Sequence, residues 1–516
     1  MRTSTPLAAL AVLTTALGAQ NARLSGPLAQ VGAQVRGDVT SFQPALGVGR
    51  VVYRADQELD EVFGLYAARL DLVGGPVALA AGLTATGSIT EDFQVSPGGE
   101  CVVFEHQPAG ADVGHLYVTA TSGAGLPLLL DGPAHFHPPF LFSLATGRVV
   151  YRRVQPGGLV EHVSAPLDGS AAPVPLHAPL GSVYDPPQLS RDGIWVVYRA
   201  NHAADALFEL YVVPADGSAP PLRLDRETSG SGIHAFAIAP DGANVVFRTS
   251  GGLFSAARDG SRRVDRLDDP LAASPAISRF EITSDSRRVV FLGHGRALGR
   301  LRLYAATITG RLPWHGQPGA IEREPDLLTP MPHFGDVVTY PAFQLTADGA
   351  HAVYAADARV DFRTELFRVR TDGSGPPELL TPAAGAAVYD FVLASDRTHL
   401  VFHGDLFAGA GLYRLPLAGG TPTLLEVVAG VEGLSIGPDS AFVFFLSAFT
   451  GARALHAVPL DGRHASRSLN GPLPAMRTTQ YDFVTLPVGR ALYRADQRTH
   501  EVVELFEAFA GRARPR

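Results

Sequence analysis

Five aspartates and a closely spaced histidine pair are the sequence's candidate ligand groups. Asp56 and Asp60 lie in the string ADQELDE, Asp357 and Asp361 in ADARVD, and Asp496 in ADQRTHE, with His500 at the matching place. Asn201 and Asp205 repeat the spacing in ANHAAD. Oxygen ligands gathered on one face could bind a hard cation such as calcium. The competing expectation is that each pair caps its own turn and balances the neighbouring Arg54, Arg199 or Arg494. An EF-hand-like D-x-D-x-D-G string is absent. His135 and His137, in HFH, would point to one side of an extended segment. Two imidazoles so spaced can ligate zinc or copper. Pro138 and Pro139 follow them, and suggest an ordinary connecting loop.

Other chemistry is excluded by residue type. The 516 residues contain no lysine, so all 42 basic residues are arginine. A phosphate-loop lysine, a Schiff-base lysine and a Ser-x-x-Lys nucleophile are therefore absent. The single cysteine, Cys101, forms no internal disulfide and reads as a small core residue of the strand ECVVFE. A formal net charge of −8 argues against nucleic acid as partner. No α/β-hydrolase segment follows the repeats described next, which separates the chain from propeller-bearing serine peptidases. SRDGIW at 190 lacks one residue of a sialidase Asp-box and reads as a hairpin turn.

The candidate ligands sit within a repeated strand pattern. LSRDGIWVVYRANHAADALFELYVVPADG, from Leu189 to Gly217, holds an Asp-Gly turn, an apolar strand, a polar loop, a second strand and another Asp-Gly turn. Ten copies of the later strand run from GLYAARLDL at 64 to ELFEAFAG at 504, so 440 residues span nine intervals, about 49 per repeat. The strand before it recurs as RVVYRA at 50, RVVYRR at 148, WVVYRA at 195, NVVFRT at 244 and RALYRA at 490. Valine and aromatic residues suit strands buried between sheets. A proline-containing fourth strand (PPLRL at 220, PPELL at 376) belongs at an outer edge. The longest insertion, Arg311 to Asp336 with Trp314 and His315, reads as a loop between strands three and four of the sixth repeat. The last repeat ends without a fourth strand, while NARLSGPL, from Asn21, matches the fourth strand SRSLNGPL. The expectation is an all-β propeller of about ten four-stranded antiparallel blades, its ring closed by an N-terminal strand that completes the last blade. The alternative is two smaller propellers.

The pattern carried by SRDGIWVVYR (190–199), APDGANVVFR (239–248), TADGAHAVYA (346–355) and ELYVVPADG (209–217) resembles the TolB-type, WD40-like β-propeller repeat. The resemblance covers roughly residues 21–511. It implies the propeller fold, and it leaves function open because propellers host unrelated activities. Ten units exceed the usual four to eight blades, and no α/β domain of the kind found in TolB precedes them.

Residues 1–19 read as a signal peptide, with Arg2, an apolar stretch over 6–17 and a small-residue cleavage site at Leu17-Gly18-Ala19. The remainder, 20–516, is the repeat domain, expected to be exported to the periplasm or beyond, without a membrane span and monomeric. The expected role is non-catalytic: a binding or scaffold module for a protein, peptide or glycan, with calcium the one cofactor suggested. The rival expectation is a propeller lyase or glycosidase acting on polysaccharide at the central channel.

Overall fold

In the computed structural model, apolar residues on alternating sides of each strand leave no blade with a core of its own. The structure describes residues 20–510 except 32–33, 36, 84, 86, 156, 180–185, 202–206, 227, 229–231, 269–276, 295–300, 309–324, 330–342, 358–362, 383–385, 407–408, 450–451, 471–478 and 500. The expected signal peptide, Asp361, Asp205, His500, Trp314 and His315 lie outside these residues. Ten antiparallel blades are present among the described residues. Blade 1 consists of Val39–Ala45, Arg50–Leu59, Val62–Arg69 and Val77–Ala78, paired in that order. Blades 4 to 9 repeat the arrangement and begin at Gln188, Ile233, Ile277, Phe343, Ala387 and Glu432. No helix among the described residues is long and apolar enough to cross a membrane.

Blades 2 and 3 depart from the expected separation. The 16-residue strand Leu128–Ser143 pairs first with Gly114–Ala120 of blade 2 and then with Arg148–Val154 of blade 3. The two blades therefore form one seven-stranded sheet. His135 and His137, expected in a connecting loop, lie on this strand instead. Pro138 and Pro139 fit because the register slips there, and an irregular pair does not require every N–H.

Ten buried clusters hold the ring together, each built from two consecutive blades. One joins Leu486, Leu492 and Leu505 of blade 10 to Val51, Tyr53 and Tyr66 of blade 1. The sequence of clusters closes on itself, so the chain forms one ring and not two. Within nine blades, an aromatic residue of the second strand stacks on the ring opposite it in the third. Tyr53–Tyr66, Phe247–Phe254, Tyr354–Phe367 and Tyr493–Phe506 are examples, with centroids 5.5–5.7 Å apart. Such pairs add about 0.5–1.5 kcal/mol each beyond area burial.

The turns follow from the Asp-Gly strings. In Ser190–Gly193 the Gly193 amide donates to the Ser190 carbonyl, Asp192 accepts the Ile194 amide, and Gly193 takes φ +75°. Glycine adopts this left-handed conformation without a Cβ penalty. In four blades the equivalent residue is Ser286, Arg397, Ser440 or Val488, held at φ 53–63°.

Gln20–Arg23 pairs antiparallel with Glu504–Phe509 and supplies the fourth strand of blade 10. The resemblance between NARLS and other fourth strands has a physical basis. After most fourth strands comes a buried leucine, and in several blades the polar residue that follows it caps the third strand. The Leu210 amide donates to Asp225, Leu253 to Asp268, Leu303 to Thr329 and Leu366 to Thr381, at 3.0–3.3 Å. Leu24 and Ser25 take these two places in blade 10, where Ser25 Oγ accepts the Leu505 amide at 3.4 Å. Arg23 adds an ion pair to the buried Glu504 at 2.8 Å. Leu24→Ala is expected to cost about 2–5 kcal/mol, the range for emptying a buried leucine site, whereas Arg23→Ala costs less because its side chain is about one-third exposed. Denaturant melts of the two variants check the order.

Candidate functional site

The first strands of neighbouring blades lie beside one another, Val39–Ala45 against Gly87–Val95 and Ala387–Leu393 against Glu432–Ile436, and form the inner wall of the ring. In eight blades this strand slips register against the second strand at the same place. The slips fall between Val39 and Ser41, Ile89 and Phe93, His137 and Leu141, Ile233 and Ala235, Ile277 and Arg279, Val388 and Asp390, Glu432 and Ser435, and Thr479 and Phe483. Bulges of this kind bend a strand and re-aim its side chains. They are larger in blades 2, 3 and 10, where residues 90–92 face Glu105 alone, residues 138–140 face Tyr151 alone and residues 480–482 face Arg494 alone.

The bulges of the adjoining blades 2 and 3 gather Glu91, Asp92, His135, His137 and Arg152. His137 lies directly across from Arg152, which in turn faces His162. Among the described residues none of the five side chains makes a hydrogen bond or ion pair. Burial raises the Asp92 carboxyl above its ordinary range, opposed by the charges of His137 and Arg152. Burial also lowers His137, reinforced by Arg152 and opposed by Asp92. Glu91 and His135 are exposed. Below them Glu105, 6% exposed, accepts the Thr90 hydroxyl at 3.3 Å and the Phe136 amide, and burial pushes it up to about 7. The arrangement offers a cation, two carboxylates and two imidazoles to a ligand at the inner wall.

Further out on blade 3, two histidines replace the usual pair of leucine and capping residue. His162 is fully buried, and its amide donates to His177 Nε2 at 3.1 Å. Tyr198 of blade 4 packs on both imidazoles. Desolvation and the neighbouring His177 and Arg152 hold His162 well below the ordinary histidine range. The pair therefore packs as part of the wall between blades 3 and 4.

The acidic loops are placed as turns. Asp56 is 2% exposed and accepts the amides of Asp38 at 2.5 Å and of Glu61 at 3.1 Å. Asp496 repeats this in blade 10 by accepting the Glu501 amide at 3.4 Å. Glu61 and Glu501 have matching φ of 63° and 60°. Asp60 follows in the blade 1 turn, and Asp357 lies at the end of the second strand of blade 7, away from the blade 1 and blade 10 loops. No group of three or more His, Cys, Asp or Glu side chains able to hold a metal occurs among the described residues.

The arginines expected to balance these loops reach elsewhere. Arg54 Nε donates to the Ile89 carbonyl at 2.9 Å, Arg199 to Ile233 and Arg248 to Ile277 at 2.6 Å, and Arg494 to Val39 at 3.0 Å. Each fastens its blade to the first strand of the next. Gly433–Gly437 (GLSIG) matches the G-x-S-x-G spacing of a nucleophile elbow. It forms the first strand of blade 9, however, and is not a strand-to-helix turn, so Ser435 lacks the setting of a nucleophile.

No family model matches the chain, and no curated protein is similar to it. Solved structures share parts of the architecture. A protein from Agrobacterium tumefaciens assigned as TolB is 20% identical over 42% of this chain and 76% of its own, with a TM-score of 0.27. An oligogalacturonate lyase from Vibrio parahaemolyticus is 12% identical over 72% of this chain and 98% of its own, with a TM-score of 0.35. A eukaryotic initiation factor is 12% identical over 79% and 94%, with a TM-score of 0.47.

Two outcomes are expected. Asp56→Ala strands the amides of Asp38 and Glu61 and should cost about 1–3 kcal/mol. If capping is the whole role of Asp56, calcium and EDTA leave the wild-type melting temperature unchanged, and a calcium-dependent rise would assign the loop to a metal. For Glu105, a folded-state pKa of about 7 against an ordinary 4.5 means that the folded state holds the extra proton between these values. Stability is then lost as pH rises through that window. Glu105→Gln should raise the melting temperature at pH 8 and leave it nearly unchanged at pH 4, as checked by paired thermal melts.

Proposed function

We propose that this propeller is an exported binding module that takes a glycan, peptide or protein segment at the inner wall of blades 2 and 3. The observation that carries the reading is the pair of wide bulges in adjoining blades 2 and 3, where the side chains of Glu91, Asp92, His135, His137 and Arg152 have no hydrogen bond or ion pair among the described residues. Several other charges on the inner strands form ion pairs, as in Arg279–Glu281, Glu432–Arg453 and Asp482–Arg494, and Asp390 accepts the Phe391 amide. Side chains left unpaired on a rigid scaffold pay little reorganisation on binding. The module acts as a monomer in the periplasm or outside the cell, by surface complementarity and without catalysis.

A second reading has its own support. Glu105 exchanges a proton near neutrality, and Asp92 and His137 stand above it, a set suited to acid–base work on a polysaccharide. Screening purified protein against glycan and peptide arrays tests the first reading. Binding should fall at least tenfold in Asp92→Asn and in His137→Ala with melting temperatures unchanged. Equal binding by wild type and both variants would remove the site from blades 2 and 3. Shortening of a retained polysaccharide during incubation would replace the binding reading with the enzymatic one.

A further inference from the structure

The second strand of five blades carries an arginine at one equivalent place: Arg54, Arg152, Arg199, Arg248 and Arg494, each following the strand's tyrosine or phenylalanine. Four of them donate to a carbonyl of the next blade's first strand. Arg152 makes no such bond among the described residues. Its Nε is buried and without a hydrogen-bond partner. A buried donor left unpaired costs free energy until an acceptor arrives. Arg152 thus has the position of a fastening arginine without a carbonyl bond among the described residues, and it stands at the wall where His137 and His135 add two further donors.

We propose that Arg152 receives the carboxylate of an acidic sugar, a uronate unit, whose hydroxyls donate to Asp92 and Glu91. This rests on the binding site proposed above and specifies its ligand. The planar guanidinium fork matches a carboxylate with two parallel hydrogen bonds. Asp92 and Glu91 accept hydroxyl protons, and their charge disfavours a phosphate dianion in the same place. The formal net charge of −8 likewise disfavours multiply charged anions.

Isothermal titration with a glucuronate-containing oligosaccharide, a neutral oligosaccharide of equal length, an acidic dipeptide and inorganic phosphate tests this on the full chain. The acidic oligosaccharide should bind, weaken at least tenfold in Arg152→Gln, and recover only in part in Arg152→Lys. Arg152→Gln should keep the wild-type melting temperature, whereas Arg199→Gln, which loses a carbonyl bond between blades, should lower it. Several results would overturn the proposal: an Arg152→Gln melting temperature lowered as far as that of Arg199→Gln, unchanged affinity in Arg152→Gln, tighter Arg152-dependent binding of the dipeptide or phosphate, or no binding of the acidic oligosaccharide. Equal, Arg152-independent binding of the neutral oligosaccharide would reject the carboxylate and leave the binding module standing. If all four probes fail to bind while array ligands do, only the ligand assignment falls.

Discussion

Apolar packing between blades is the interaction on which the rest of this structure depends. A blade presents buried residues on both faces, so it is stable only between two neighbours. Ten clusters satisfy this around the ring, and the last requires blade 10 to meet blade 1. Blade 10 lacks a fourth strand in its own segment and takes Gln20–Arg23 instead. One strand pairing therefore closes the sheet and completes the ring at once, removing the open edges that would otherwise recruit other chains. Leu24 belongs to the same cluster that joins the two ends of the repeat array, so covalent continuity and packing meet at that seam.

Closure also explains where chemistry can reside. Strands two and three are sandwiched between blades and carry the valine and aromatic residues that pack there. First strands line the inner wall and are only partly covered, so they can carry polar residues without loss of core. Their recurrent bulge releases backbone regularity at the point where fastening arginines reach across from the preceding blade. In blades 2 and 3 the bulge is wide, as it is in blade 10, and here one strand serves both sheets, so side chains from two repeats converge. The two histidines of that strand and the carboxylates of the preceding bulge gain their proximity from this fusion.

Much of the fold was legible because repetition reports packing directly. VVYR and ELY strings mark the two buried strands, Asp-Gly marks the turns, and NARLS can be matched to SRSLN because both carry a core leucine followed by a cap. The site was less legible. His135 and His137 were visible as a pair, but the prolines after them suggested a loop, since a bulge that tolerates proline leaves no distinct sequence mark. Asp92 and Arg152 lie 60 residues apart and meet only through the ring, which no local pattern encodes. The arginine of VVYR was conspicuous, yet its partner is a backbone carbonyl in the next blade, and carbonyls have no residue signature. The acidic loops were legible as loops, and Asp56 proves to bind amides because Glu61 takes a left-handed turn that presents its N–H. GLSIG shows the converse, a motif whose spacing is right and whose strand geometry denies the role.

The central claim is a single ring of ten blades closed by the N-terminal strand. Cryo-electron microscopy of the purified protein, viewed down the channel, tests it most directly. The account predicts one ring with ten radial spokes and no gap. Two smaller rings, another spoke count, or an opening between the first and last blades would contradict it.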